Sequence, residues 1–276
     1  MDRIRLIASD MDATLLDEQS QLPADFEETI HALAELGIRF APASGRPLYT
    51  LEAMFPTLQD ELVFIGDNGG AIRWKEQNLF TSEMSPEGWR ALNRLTREQG
   101  DIAVLCGLES AYVERPFAVH DAVLRHFYTK IEYVDRLEDV TAPADKFTIY
   151  LPQHNAQQAY DTVYASQRSI YSVAVAGECW VDIMNPGVHK GAALQTLGQL
   201  WGLPSESMMA FGDTYNDAEM LQTVRYGFLM ENGSEPLRQK VPFLAPSHRE
   251  AGVMQVLHRV LAQNGCVCPE DFIPAH

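Results

Sequence analysis

Short apolar segments alternate with amphipathic segments along the first quarter of the chain. Continuous apolar runs at residues 4–8, 38–42 and 62–65 are typical of strands buried on both faces. Residues 24–36 carry apolar side chains at helical spacing and acids in the first turn, and a second helical stretch reaches Phe55. Strands that alternate with helices predict βαβ units and a parallel sheet.

The pattern changes between residues 83 and 185. Residues 71–74 and 79–81 predict a hairpin just before this change. The middle part then contains predicted helices at 86–99 and 156–167, and short predicted strands at 102–106, 111–114, 147–151, 171–176 and 180–184. Because these strands come partly in pairs, they favour an antiparallel α+β module over a continuation of the parallel sheet.

The α/β alternation returns after Asn185-Pro186-Gly187. It predicts strands at 208–211 and 227–230 and helices at 190–201, 216–222, 235–241 and 252–262. The predicted fold class is therefore α/β, with a doubly wound, mostly parallel, Rossmann-like core. Residues 1–82 and 186–276 would form this core, and residues 83–185 would form an inserted α+β cap domain.

Polar clusters follow the predicted core strands at the points where these strands end. Ligands of open parallel sheets bind beyond the carboxyl ends of the strands, so these clusters would lie close together. A lysine that opens the helix at 190–201 would face the same edge. The clusters contain Asp10 and Asp12, then Ser44, Gly45 and Arg46, and finally Asp213, Asn216 and Asp217, with Lys190 beside them.

Four converging aspartates require a cation, because each carboxylate suppresses the ionisation of its neighbours. Their ligand atoms are all oxygens, which favours a hard ion, and Mg²⁺ suits a few carboxylates plus a substrate phosphate. Each motif alone is also compatible with an ordinary turn or helix cap. Their order along the chain, always at a predicted strand end or helix start, favours a shared site.

The clusters resemble the motifs of the haloacid dehalogenase superfamily, and the resemblance spans almost the whole chain. It is closest to the Cof-type sugar-phosphate phosphatases, whose NGA turn is similar to residues 67–70. Residues 10–14 (DMDAT) resemble the DxDGT motif, residues 44–46 the SGR motif, residues 189–191 the KG motif, and residues 212–217 (GDTYND) match GDxxND at every fixed position.

The resemblance implies a phosphatase that acts on a small phosphorylated metabolite, with sugar phosphates as the leading class. Asp10 would be the nucleophile that forms an aspartyl-phosphate, and Asp12 the general acid and base. Asp10, the backbone carbonyl of Asp12 and Asp213 would hold Mg²⁺. Ser44, Gly45, Arg46, Lys190 and Asn216 would bind phosphate or substrate, and Asp217, Thr14 and Asn68 would support the site. Two alternatives stay open, because Arg46 could instead pair with an acid and Asn216 could cap its helix. Near the cap or hinge, the candidate residues are Glu178, Trp180, Asp182 and His189, and Trp180 is expected in the core of the cap sheet.

One position departs from the family pattern. Residue 13 is Ala where the motif usually has Gly, a residue that serves positive φ or a close backbone approach. If the loop requires φ > 0 at Ala13, strain of about 1 kcal/mol is expected. Because both motif aspartates and Thr14 are retained, we interpret this change as tolerated.

The overall charge narrows the range of partners. The chain of 276 residues has 38 acidic and 21 basic residues and a formal charge of −17, which argues against nucleic-acid and anionic-membrane binding. The four cysteines fit neither a CxxC zinc site nor a disulfide framework, and no apolar window suggests a signal peptide or a membrane helix. A cytoplasmic location is the resulting expectation.

No heptad repeat indicates an oligomeric interface.

Other functions remain open at this level. The same fold and site would serve a phosphotransferase or mutase that returns the phosphoryl group to a sugar hydroxyl. A catalytically decayed protein that binds a phosphorylated metabolite has Ala13 as its only support. Dehalogenation is disfavoured, because Asp12 and the GDxxND loop serve metal-dependent phosphoryl chemistry.

Overall fold

The computed structural model describes residues 1–276. Its strands are β1 (Asp2–Arg3), β2 (Leu6–Ser9), β3 (Arg39–Pro42), β4 (Val63–Gly66), β5 (Ala71–Trp74), β6 (Gln77–Thr81), β7 (Ile102–Gly107), β8 (Ala111–Glu114), β9 (Ile131–Val134), β10 (Ala144–Tyr150), β11 (Ser172–Ala176), β12 (Trp180–Met184), β13 (Met208–Gly212), β14 (Tyr226–Met230), β15 (Phe243–Ala245), β16 (Cys266–Val267) and β17 (Ile273–Pro274). Its helices are α1 (Phe26–Glu35), α2 (Leu48–Ala53), α3 (Pro86–Gln99), α4 (Asp121–Phe127), α5 (Ala156–Asp161), α6 (Lys190–Trp201), α7 (Ala218–Thr223) and α8 (Gly252–Ala262). No helix is both long and apolar enough to cross a bilayer.

The first large sheet has the strand order β17-β15-β14-β13-β2-β3. All its pairs are parallel except β15 with β17. Parallel bridges from Phe40 to Leu62 and from Ala43 to Ile65 place β4 beside β3, and β4 leads into the predicted hairpin of β5 and β6. The expected doubly wound, mostly parallel α/β core is confirmed.

Side chains on both faces of this sheet are buried, as the continuous apolar runs predict. Ile7 and Phe40 contribute to a cluster of 31 buried residues on one face, which also takes in α1 and α8. Leu6, Ala8 and Ala41 point the other way into a cluster of 19 buried residues with α6 and α7. The sheet is thus fixed from both sides, and its carboxyl edge is a rigid support for side chains.

A second sheet of six strands has the order β11-β12-β10-β7-β8-β9 and is antiparallel except for β8 with β9. Its own cluster of 16 buried residues includes Trp89 of α3 and Phe147 of β10. The expectation of an α+β cap inserted in the chain is confirmed as a fold class. We use "cap" for residues 83–185 and "core" for the rest, and these domain boundaries remain predictions.

Several local predictions were wrong. The helix expected at 156–167 ends at Asp161, because Tyr164 turns inward, is fully buried and donates to Asp101 at 3.1 Å. The segment at 235–241 is a 3-10 turn, and the one at 216–222 begins as a 3-10 turn before α7. The pattern also missed α4, β9 and the short terminal strands, which are too short to show a period.

Candidate active site

Asp10 lies directly after β2, at the carboxyl edge of the core sheet. Its backbone N–H donates to the carbonyl of Phe211 at 2.9 Å, which ties the end of β2 to β13. Its side chain is buried, and Lys190 Nζ donates to its Oδ1. No hydrogen bond engages the other carboxylate oxygen, Oδ2. One oxygen of Asp10 is therefore held, and the other is free to react.

Lys190 is the first residue of α6, and its side chain is completely buried. Its Nζ also donates to Asp217 Oδ1 at 2.7 Å. Burial opposes the charge, but Asp10 and then Asp217 raise the pKa of Lys190 above its usual value, so it is a permanent cation here. Its ammonium group donates to the carboxylates of Asp10 and Asp217. A contact between Lys190 and phosphoryl oxygens remains a prediction.

Asp217 is a fixed part of the GDxxND turn. Its Oδ2 accepts from the backbone N–H groups of Asp213 at 3.0 Å and Thr214 at 3.2 Å. Gly212 makes room for this carboxylate, because a Cβ at position 212 would come within 2.5 Å of the Asp217 side chain. Asp217 therefore orients Asp213 and Lys190, as a supporting residue would.

The carboxylates of Asp10, Asp213 and Asp217 each offer an oxygen, and these oxygens lie within 4.8 Å of one another. Burial and then the charge of Asp217 raise the pKa of Asp10 well above its usual value, and the same two causes raise that of Asp213 to about 6. Lys190 alone does not balance this cluster. An all-oxygen set with excess negative charge fits a hard divalent cation such as Mg²⁺. Thr14 Oγ1 lies 3.4 Å from Asp213 Oδ1 and helps to orient it.

Asp12 points away from this cluster toward Arg46. The Arg46 guanidinium donates to both oxygens of Asp12, at 2.5 and 3.0 Å. Arg46 is 6% exposed, whereas the Asp12 side chain is 57% exposed. Of the two roles left open for Arg46, substrate contact or pairing with an acid, the structure has the second. The predicted proton exchange between Asp12 and a substrate would require Asp12 to leave this ion pair or to share it.

Ser44 and Gly45 form a tight turn after β3. Ser44 Oγ accepts from the Arg46 N–H at 3.1 Å, which leaves its own hydrogen free to donate to a ligand. The Ser44 carbonyl accepts from the N–H of Asn68 at 2.9 Å, so this turn rests on the turn after β4. We call residues 44–46 the phosphate loop.

Asn216 does not cap its helix, which was one of its two predicted roles. Thr214 and Asp217 form the capping box of that turn. The Oδ1 atom of Asn216 is buried and has no partner. His189 is a helix cap, since its Nδ1 accepts from the Ala192 N–H at 3.2 Å.

Comparison with known proteins identifies the architecture. A model of the haloacid dehalogenase-like hydrolases matches residues 7–257. The chain belongs to this family. The predicted superfamily, the Cof-type branch and a phosphoric monoester hydrolase as the class of enzyme are thereby confirmed.

Relatives and solved structures match the hydrolase over almost its full length. It is 31% identical over 262 residues to a protein of Escherichia coli (strain K12) named 5-amino-6-(5-phospho-D-ribitylamino)uracil phosphatase YbjI, covering 94% of this chain and 96% of the relative. It is 30% identical to the HMP-PP phosphatase of Cronobacter sakazakii, with 87% and 89% covered. A crystal structure from Streptococcus mutans UA159 superposes with a TM-score of 0.86 at 28% identity, covering 94% of this chain and 99% of the other.

A cavity of about 600 Å³ lies between the core and the cap of the hydrolase. Among the predicted cap residues, Glu178, Trp180 and Asp182 line it, and His189 does not. Trp180 was expected in the cap interior. It is buried and packs on Tyr150, with ring centroids 4.7 Å apart, but it also forms part of the cavity wall. The core side of the wall contains Asp10, Asp12, Ser44, Gly45, Arg46, Asn68, Asp213 and Asn216.

Sequence reasoning missed Lys146, a cap residue that also lines the cavity. It lies in β10 and is 1% exposed. Its Nζ donates to the Gly45 carbonyl at 2.5 Å and lies 3.1 Å from Asp67 Oδ1. The available signal was a lysine inside a strand with apolar residues at alternate and adjacent positions, since an unpaired charge is not stable there.

The loop that follows Asp10 has a strained residue. Ala13 has φ 56° and ψ 12°, in the left-handed region that glycine adopts without cost. We expect Ala13→Gly to raise the free energy of unfolding by about 0.5–1 kcal/mol, after the greater flexibility of the unfolded glycine chain is subtracted. Urea denaturation measures this change. Ala34→Gly, in helix α1, is the matched control and should lower stability; equal losses in both variants would contradict the prediction.

Asp145 of the cap is buried against the core turn at 67–70. Both its carboxylate oxygens lack hydrogen-bond partners, and one lies 3.2 Å from the position of a Cβ at Gly70. Burial and then the charge of Asp67 raise the pKa of Asp145 well above its usual value, although Lys146 opposes this. The folded hydrolase therefore keeps a proton on Asp145 to a higher pH than the unfolded chain, which releases it near pH 4.

This buried proton predicts a pH dependence of stability. The contribution of Asp145 to the free energy of unfolding is fully present below pH 4. It is lost as the pH rises toward the folded-state pKa, and the free energy of unfolding falls by up to about 1.4 kcal/mol per pH unit. Asp145→Asn stays neutral and can donate to Asp67, so the variant should gain stability relative to the native protein between pH 4 and 8. Urea denaturation across this range is the measurement. Asp60→Asn, at an exposed position, should give no such divergence.

Proposed function

We propose that this hydrolase is a Mg²⁺-dependent phosphatase that transfers the phosphoryl group of a small phosphorylated metabolite to Asp10 and then to water. The placement of Asp10 carries the proposal. Its Oδ1 is fixed by Lys190, Oδ2 has no partner, and the residue lines the cavity. A carboxylate in such a position is oriented for nucleophilic attack.

In the first step Asp10 Oδ2 attacks phosphorus, and the bond between phosphorus and the ester oxygen breaks as the aspartyl-phosphate forms. Asp12 gives its proton to the departing alkoxide. In the second step Asp12 takes a proton from water, whose oxygen attacks phosphorus and releases Asp10 and inorganic phosphate. Asp12 lines the same cavity and, being half-exposed, is free to turn between Arg46 and the substrate.

The phosphoryl oxygens require donors that remain in place during transfer. The Ser44 hydroxyl is free to donate, and the buried Arg46 is a second source of positive charge at the same loop. Asp10 and Asp213, with the Asp12 carbonyl, would hold Mg²⁺. When bound, this ion reduces the repulsion between the carboxylates and the phosphate dianion.

The cavity and the relatives support the proposed substrate class. A cavity of about 600 Å³ accommodates a small metabolite, and the cap encloses it opposite Asp10. Phe127 and Trp180, whose ring centroids are 5.1 Å apart, give its cap side an apolar wall. Sugar phosphates are the leading class, and the name of the Escherichia coli relative adds phosphorylated ribityl chains that carry a uracil ring.

The test is a phosphate-release screen with the purified protein after removal of metal by EDTA. We expect no release without metal, and release from p-nitrophenyl phosphate and from a subset of sugar and ribityl phosphates after Mg²⁺ is added. The absence of release across the panel with Mg²⁺ would contradict the proposal. Phosphate appearing on an added sugar instead of in solution would identify a phosphotransferase.

A further inference from the structure

Lys146 connects the cap to the phosphate loop through one buried charge. It belongs to β10 at the centre of the cap sheet, and its side chain is 1% exposed. Its Nζ donates to the carbonyl oxygen of Gly45 at 2.5 Å and lies 3.1 Å from Asp67 Oδ1. Both of these partners are core residues, so this ammonium group reaches across the boundary between the two parts of the chain.

Asp182, on the neighbouring strand β12, makes a second connection of the same kind. Its Oδ2 accepts from Asn68 Nδ2 of the core at 2.9 Å and lies 3.5 Å from Lys146 Nζ. Its Oδ1 accepts from Thr148 Oγ1 at 2.8 Å, which fixes the carboxylate within the cap. Two adjacent cap strands therefore hold the two core turns that follow β3 and β4.

These two turns position the groups that would receive the phosphoryl oxygens. Gly45 stands between Ser44 and Arg46, and the Ser44 carbonyl accepts from Asn68 N–H at 2.9 Å. The cap thus contacts both turns where they meet. A displacement of about 1 Å in such groups is enough to reduce a rate by about 100-fold.

We propose that Lys146 is a positioning residue, which fixes the Gly45 carbonyl and with it the phosphate loop when the cap is seated on the core. This inference rests on the proposed function, since it assigns the loop to phosphoryl binding. Lys146 would act through the Gly45 carbonyl, to which its Nζ donates. It makes the geometry of the loop depend on the cap, so that the site is complete only when closed.

Hydrogen–deuterium exchange and kinetics of Lys146→Met test this role. We expect exchange in peptides covering residues 44–46 and 67–70 to rise at least tenfold, while peptides from β2 and β13 keep their protection. With p-nitrophenyl phosphate and Mg²⁺, kcat should fall by about 100-fold. Thr50→Val is the matched control, because it removes a different cap–core contact, in which the Thr129 N–H donates to Thr50 Oγ1 at 3.0 Å. This variant should change both readouts less than twofold.

A second variant tests whether the effect of Lys146→Met arises only from a destabilised fold. Lys146→Met combined with Asp67→Asn removes both charges of the Lys146–Asp67 pair. Asp182 keeps its hydrogen bonds from Asn68 and Thr148, while Gly45 still loses its donor. Unchanged exchange at residues 44–46 in this variant would overturn the proposal. Faster exchange confined to the cap strands would also overturn it, because that result indicates a role only in cap stability. Hydrogen–deuterium exchange is measured without substrate and does not depend on activity. If the native protein releases no phosphate, the proposed function is contradicted, and the exchange result still shows whether Lys146 fixes the phosphate loop.

Discussion

Replacing Asp10 with asparagine is expected to abolish phosphate release from every substrate that the native protein hydrolyses. The amide is a poor nucleophile and cannot form the acyl-phosphate, so kcat should fall by about 1000-fold or more. The fold should remain intact. Asparagine keeps an oxygen that can accept from Lys190. It also removes one of the three neighbouring carboxylates of Asp10, Asp213 and Asp217, whose mutual repulsion helps to raise the pKa of Asp10.

Two measurements establish whether Asp10 is the residue that is phosphorylated. Steady-state phosphate release gives kcat, and an acid quench after reaction with radiolabelled substrate traps a covalent phosphoenzyme. Asp12→Asn is the matched variant. With p-nitrophenyl phosphate, whose leaving group needs no protonation, it should still become labelled but should turn over slowly. Substantial turnover by Asp10→Asn would mean that another group accepts the phosphoryl group.

Lys190→Met is expected to cause a large loss of stability together with the loss of activity. The lysine is completely buried between Asp10 and Asp217, and its removal leaves two buried carboxylates without their cation. Breaking a buried ion pair in this way costs about 3–5 kcal/mol. For a chain of this size the midpoint of thermal unfolding should fall by about 6–15 °C.

Thermal and urea denaturation of the native and variant proteins, with and without Mg²⁺, measure this effect. Lys240→Met is the control, since Lys240 is exposed and forms no ion pair, and its midpoint should stay within about 2 °C. If Mg²⁺ binds the remaining carboxylates, it should restore part of the lost stability by mass action. A Lys190 variant as stable as the Lys240 variant would show that the buried ammonium does not stabilise the acidic cluster.

The core strands and the site motifs could be predicted from the sequence because each is specified by residues that are close together in the chain. An apolar run that ends in Asp10, and a second that ends in Gly212-Asp213, specify both a strand and the position of its exit. Since parallel strands share a carboxyl edge, the convergence of Asp10, Asp213 and Lys190 followed from topology. The glycine that the family motif usually has at position 13 raised the question of a positive φ, and the structure shows that Ala13 adopts one.

The cap contacts were not readable in this way. Lys146 and Gly45 are 101 residues apart, and nothing near either residue specifies the other. The same holds for Asp182 and Asn68, which are 114 residues apart. Tertiary contacts also decided the end of α5, where burial of Tyr164 outweighs helix propensity. The pairing of Arg46 with an acid was one of two alternatives, and only the three-dimensional arrangement selected it and identified the acid as Asp12.

The central place of β13 in the core sheet has a consequence for synthesis on the ribosome. The strand pairs with β2 through Met208 and Leu6, although some 200 residues separate them in the chain. At a translation rate of about 5–20 residues per second, β2 waits roughly 10–40 s for this neighbour. During that interval the backbone N–H and C=O groups on its β13 side lack partners and its apolar faces are uncovered, so the nascent amino-terminal segment is prone to aggregation. The cap, continuous in sequence, has all its strands available before the core sheet closes.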